Sequence, residues 1–192
     1  MITQHSLILA SASPRRTELL RQIGVPHTIR PADVREEAPH PMTAEEYVRY
    51  LSQKKARAVA RPGEIVLAAD TVVSLDHRIL EKPVDREAAL EMLRLLSGRT
   101  HEVVTGVTIW TVERQETFTV TTKVRFCLIP EKWLLSYVMT NEPYDKAGGY
   151  GIQGQGGLFV EAIEGDYYNV VGLPINPISR HLETFGINPM FA

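Results

Sequence analysis

At 192 residues, with 44% hydrophobic and 23% charged side chains, the chain is long enough to bury a proper α/β core and has the composition of a globular protein. A formal net charge of -2 at pH 7 excludes the global basic field of a nucleic-acid binder, although local positive charge can still serve a small anion. The single cysteine, Cys127, excludes an intramolecular disulfide, and neither a secretory leader nor a run of membrane-spanning length is visible, so a cytoplasmic protein without nucleic-acid or membrane partners is expected.

The first apolar run, Leu7-Ile8-Leu9-Ala10, predicts a buried strand that turns directly into a helix over 14–23. Ser13 suits its N-cap, and Pro14 suits the first helical position, where a missing N–H costs nothing. Hydroxyls, backbone N–H groups and the guanidinium groups of Arg15 and Arg16 then crowd the positive end of that helix, which equips it to hold a phosphate; the plain alternative is an ordinary turn with solvated arginines. Thr43-Ala44-Glu45-Glu46 reads as a capping box opening a second helix to about residue 60. Residues 65–69 predict a buried strand whose end delivers Asp70, and residues 72–80 a hairpin turning near Asp76-His77. Asp85 caps a third helix that stops near Gly98. Residues 103–112 and 117–128 predict two long antiparallel strands, with Cys127 read as core inside the second. A helix over 131–139, a glycine-rich loop, a strand over 158–163 and a helix from near Pro174 complete the chain. With no repeat, low-complexity tract or linker, one domain over residues 1–192 is expected, α/β in class, with a mixed, bent sheet flanked by helices in two lobes around a central cleft.

Gly149-Tyr-Gly151-Ile-Gln-Gly154 formally matches the dinucleotide-binding glycine pattern, but that pattern must follow a strand and open a helix, and this one leads into a strand. What it offers instead is backbone that can approach a ligand closely, beside Gln153, whose amide both donates and accepts and so can meet a base edge. Asp70, Glu36 and Glu37 supply carboxylates for a hard divalent cation; Lys55 and Lys82 supply cations for a polyphosphate. Taken singly, each such charge reads as a solvated surface residue.

Six segments, in order across nearly the whole chain, resemble the Maf family of nucleoside triphosphate pyrophosphatases. They are Ser11-Ala-Ser-Pro-Arg-Arg16, Ala69-Asp-Thr-Val-Val73, Glu81-Lys-Pro83, Leu96-Ser-Gly98, Asp145-Lys-Ala-Gly-Gly-Tyr-Gly-Ile-Gln-Gly154 and Gly165-Asp-Tyr-Tyr-Asn-Val-Val-Gly-Leu-Pro174. The form of the fifth is similar to the branch acting on dTTP and UTP. The resemblance implies a fold related to inosine triphosphate pyrophosphatases, a nucleoside triphosphate substrate, a divalent metal (Mg2+ or Mn2+) and frequent homodimers. It also implies hydrolysis to the nucleoside monophosphate and pyrophosphate, with a non-catalytic role in regulating septum formation as the alternative. Carried over by position, Asp70 matches the proton acceptor, and Arg15, Thr71 and Gln153 match positions associated with substrate choice. Ser11, Arg16, Lys55 and Lys82 match the polar pocket lining; Glu36, with Asp70, falls on the metal. Gly149 stands where relatives carry alanine, and Asp33-Val-Arg-Glu36 is less acidic than the family form.

Overall fold

A computed structural model describes residues 7–190. Its strands are β1 (Leu7–Leu9), β2 (His27–Ile29), β3 (Ile65–Leu75), β4 (Arg78–Leu80), β5 (Thr100–Trp110), β6 (Gln115–Phe126) and β7 (Val160–Glu164). Its helices are α1 (Pro14–Gln22), α2 (Ala44–Val59), α3 (Arg86–Leu96), α4 (Glu131–Tyr137), α5 (Tyr167–Val171) and α6 (Ile175–Thr184). The strands form one 7-stranded sheet in the order β2-β1-β3-β5-β6-β7, with β4 paired to β3. It is mixed: β1 runs parallel to β2 and β3, whereas β4 is antiparallel to β3 and β7 to β6. The chain divides into two compact units, residues 7–70, 105–120 and 172–190 of the described chain in the first and residues 71–104 and 121–171 in the second.

In the first unit the apolar run of β1 is buried throughout because it has a parallel neighbour on each side, Leu7 standing opposite both His27 and Ile65. Thr43 and Glu46 close the expected capping box, which satisfies two of the orphan N–H groups at the start of α2. Below it, Tyr47, Val48, Leu51, Ser52, Ala56 and Val59 are buried at helical spacing. Ala56 and Val59 meet Val66 and Ala68 of β3 and Ile8 of β1 in one apolar cluster. Helix α2 also lies hard against β5: a Cβ on Gly106 would stand 2.4 Å from the carbonyl oxygen of Val48.

In the second unit β3 turns into β4 through Asp76 and His77, both with positive φ (49° and 64°), and Leu75 faces Arg78 across that two-residue turn. The Asp85 carboxylate accepts from the Ala88 N–H at 2.8 Å, so α3 is capped as its sequence indicates. Leu93, Leu96, Val124, Phe126, Leu134, Tyr137, Tyr150 and Phe159 form the second core, with Phe126 meeting Tyr150 edge to face at 4.7 Å.

The structure departs from expectation in four places. β3 does not end at Asp70 but continues to Leu75, carrying the carboxylate mid-strand. β2 and α5 were not anticipated, being only 3 and 5 residues long. The strand expected over 158–163 begins at Val160, because Gln155–Phe159 winds into a 3-10 turn that buries Phe159 against Tyr137. Cys127 is half-buried just past β6 and packs on the second core, so it is a core residue without being in the strand.

Candidate functional site

Asp70 is 6% exposed, in a strand where the burial pattern on both faces leaves no solvated side for a carboxylate. Two periodicities bring it a partner. On β3, Asp70 shares a face with Ala68 and Val66, two and four residues earlier. On α2, Lys55 follows Tyr47 and Leu51 at intervals of four, which puts an ammonium on the buried side of the helix. Since that helix packs on that face, Lys55 Nζ meets Asp70 Oδ1 at 2.5 Å. The same nitrogen meets Glu36 Oε1 at 2.7 Å, with the lysine side chain 11% exposed and Glu36 half open to solvent. Glu36 sits in a loop tied to α2 on both sides of it: Tyr47 OH donates to the Glu36 carbonyl at 2.9 Å and Lys54 Nζ to the Arg35 carbonyl at 2.8 Å.

Arg16 approaches from α1. Its Nε donates to the Gly172 carbonyl (2.9 Å), and its Nη1 donates to the Ala69 carbonyl (2.8 Å) and to Ser11 Oγ (3.2 Å). The guanidinium thus locks the peptide next to Asp70 and the turn before α1 together. Ser11, buried, also accepts from the Ser13 N–H at 3.2 Å. Ser13 does occupy the N-cap position, with Pro14 behind it, but its side chain makes no capping bond. Arg15, half-buried, lies on the same first turn.

Burial raises the Asp70 pKa above its ordinary value; the charges of Lys55 and Arg16 act against that, and Glu36 adds to it. Burial likewise lowers the pKa of Arg16, opposed by Asp70. Burial thus favours the protonated form of this carboxylate, and the cations beside it favour the ionised one.

Thr71, half-buried, is the next residue of β3 and belongs to the second unit. Lys82 is exposed just after β4. The glycine-rich loop lies beside that segment, because the Gly148 N–H donates to the Glu81 carbonyl at 3.3 Å. Gly148 has a φ of +74°, and a Cβ there would stand 2.7 Å from Val73 Cγ2, so only glycine fits. Gln153 is exposed in the same loop. Of the sequence-predicted residues, then, Ser11, Arg16, Glu36, Lys55 and Asp70 are brought together in the first unit, and Thr71, Lys82 and Gln153 are carried by the second.

Among the described residues no three His, Cys, Asp or Glu side chains gather as a metal set. Glu36 and Asp70 nevertheless converge on one cationic nitrogen, which marks a point where two carboxylates face a positive charge. Two carboxylates suit a hard ion that takes its remaining oxygens from phosphate and water.

The Maf-like protein family matches this chain over residues 6–185. The chain belongs to that family. It is 84% identical over 192 residues to the dTTP/UTP pyrophosphatase of Exiguobacterium sibiricum, covering 100% of this chain and 98% of that protein. To the dTTP/UTP pyrophosphatase of Bacillus pumilus it is 48% identical over 187 residues, covering 96% and 99%. In solved structures, this Maf-like chain matches the Staphylococcus aureus Ham1 protein over 63% of its length and 71% of that chain, with 16% identity and a TM-score of 0.44. A HAM1 protein from Coxiella burnetii matches over 66% and 75%, with 18% identity and a TM-score of 0.46. No described helix is long and apolar enough to cross a membrane.

Proposed function

We propose that this chain hydrolyses the α–β phosphoanhydride of dTTP and UTP, giving the nucleoside monophosphate and pyrophosphate. The observation that carries the reading is the buried Asp70 paired at 2.5 Å with Lys55 beside an arginine-braced strand. It is supported by the name borne by relatives 84% and 48% identical over nearly the whole chain. Water attacks the α-phosphorus in line with the departing pyrophosphate; the new bond is from water oxygen to phosphorus, and the bond broken runs from phosphorus to the bridging oxygen. Asp70 orients that water and accepts its proton, a contribution of about 10²–10⁴-fold. Lys55 favours the ionised form of Asp70 against the effect of burial, and its 2.5 Å contact orients the carboxylate. Arg16 fixes the Ala69–Asp70 backbone through the Ala69 carbonyl.

A divalent cation, Mg2+ or Mn2+, would be held by Glu36 and Asp70 and would supply stabilisation of the charge developing on phosphoryl oxygens. Lys82 meets phosphate oxygens as a point charge. Arg15 and Thr71 contribute to substrate choice, and Gln153 reads the base: its amide offers one donor and one acceptor to the carbonyl and N3–H of uracil or thymine. Cytosine lacks that N3–H, and a site built around a hydrogen bond rejects a ligand that leaves it unmade. The methyl group separating thymine from uracil is worth only about 1–3 kcal/mol. Pyrophosphate release, measured as kcat/KM across the ribo- and deoxyribonucleoside triphosphates, should be highest for dTTP and UTP. A preference for GTP or CTP over both overturns the reading.

A further inference from the structure

The glycine-rich loop is held by the Glu142 carboxylate, which lies outside the Asp70 cluster. Glu142 Oε1 accepts from Tyr137 OH at 3.0 Å and from the Gly156 N–H at 2.9 Å, and its Oε2 accepts from the Gln155 N–H at 2.9 Å. Tyr137 is itself buried in the second core, so the carboxylate is anchored on one side to the core and on the other to loop backbone. Its own backbone is fastened too: the Glu142 N–H donates to Thr140 Oγ1 at 3.3 Å, and the Glu142 carbonyl accepts from Lys146 Nζ at 2.9 Å.

Gly151, Gly154 and Gly156 of the loop lie against this clamp. A Cβ on Gly154 would stand 2.5 Å from the Glu142 carboxylate atoms. On Gly156 it would stand 2.8 Å from Tyr137 OH, and on Gly151 2.8 Å from Lys146 Cε. The backbone wraps Glu142 and its partners more closely than a side chain permits without displacing them. Gln153 lies between the two wrapped stretches, one residue before Gly154 and two after Gly151, with its own side chain exposed.

We propose that Glu142 is a specificity-positioning residue: its carboxylate, gripping the N–H groups of Gln155 and Gly156, sets the orientation in which Gln153 presents its amide to the pyrimidine. The proposal rests on the reading of Gln153 as the residue that reads the base. The carboxylate is suited to the task because it is acceptor-only, and every group it meets here is a donor. An amide in its place turns at least one donor toward a backbone N–H, which loosens the loop while preserving volume.

The test combines Glu142→Gln, Gly154→Ala and Gln153→Ala, alone and paired, with kcat and KM for dTTP, UTP and CTP. In Glu142→Gln, the Gln155 and Gly156 amides should exchange with solvent faster than in the parent. KM for dTTP should rise about tenfold with kcat within about twofold, and preference for dTTP over CTP should fall about tenfold. Gly154→Ala should produce the same losses by a different route, since its methyl displaces the flexible end of Glu142 and not backbone; it decides the matter alone if Glu142→Gln does not fold. Because Glu142 acts through Gln153, adding Glu142→Gln to Gln153→Ala should cost no further discrimination. If Gln153→Ala lowers discrimination but Glu142→Gln leaves it intact, or the two losses simply add, the positioning role is overturned and the base-reading residue stands. If Gln153→Ala leaves discrimination at the parental value, the reading of Gln153 falls and the proposal with it.

Discussion

Replacing Asp70 by asparagine separates its chemistry from its structural contribution. The amide keeps the shape and can still accept from Lys55 Nζ, which retains Glu36 at 2.7 Å as its second partner. What is lost is the basicity that the proposed mechanism uses to take a proton from water. The expected fall in kcat at saturating dTTP and metal is about 10²–10⁴-fold, or roughly 3–5 kcal/mol in the barrier. Stability should move the other way. Burial raises the folded-state pKa of Asp70 despite Lys55 and Arg16, so the ionised carboxylate is less well accommodated in the folded chain than in water. A group with a raised folded pKa contributes stability that is present below its unfolded pKa and is lost as pH rises through the folded one. The neutral asparagine escapes that loss, so its Tm at pH 7 should match or exceed the parent's, with the difference shrinking toward acid pH. The same shift places the acid limb of the parent's kcat/KM above the ordinary carboxylate pKa of about 4. Pyrophosphate release and thermal unfolding from pH 4 to 8 check both halves. Near-parental turnover, or a Tm more than about 5 °C below the parent at pH 7, would refute the reasoning.

Lys82→Ala should weaken binding of a non-hydrolysable dTTP analogue about tenfold or more, with the monophosphate affected less, because one charge-assisted contact to phosphate is removed; equal titration curves for parent and variant would place that ammonium elsewhere. His101 offers a pH test outside the chemistry. Burial lowers its pKa from 6.5 to about 4, with Nε2 hydrogen-bonded to Tyr150 OH at 2.7 Å. The unfolded chain therefore binds the extra proton first, and stability falls by up to about 3 kcal/mol as pH drops from 6.5 through 4. His101→Phe should flatten that fall in urea midpoints between pH 7 and 4.5, at the cost of one hydrogen bond at pH 7; parallel pH dependences would rule the histidine out.

Features written in a few adjacent residues were legible before the structure. The Thr43–Glu46 box, the Asp85 cap and the Asp76-His77 turn are local chemistry, and each forms where its residues stand. The extent of β3 was not, because whether a strand continues past an aspartate depends on neighbours that can satisfy it, and Lys55 lies fifteen positions away. The short β2 and α5 carry too few residues for periodicity to register. At the site, residue types pointed to Asp70, Lys55 and Glu36 as candidates without pairing them. The signal for the pairing was present in the helical interval from Tyr47 through Leu51 to Lys55, which places a lysine on the apolar side of its helix. Arg16 reads as a phosphate ligand at a helix end; the hydrogen bonds it also makes to the carbonyls of Ala69 and Gly172, the latter 156 positions distant, are beyond any local rule.

The contact between Gly106 and the Val48 carbonyl works as a height gauge for α2. Val48 and Lys55 are two turns apart on one stiff rod, so the distance at which β5 admits the helix also determines how far the lysine must reach. A methyl group at position 106 meets main chain on the opposing side, at 2.4 Å from Val48 O and 2.8 Å from Arg49 N, and main chain cannot swing aside as a side-chain tip can. The helix would have to ride outward, and the 2.5 Å separation between Lys55 and Asp70 has no slack to absorb the move. A residue with no side chain and no charge therefore belongs to the tolerances of the Lys55–Asp70 pair.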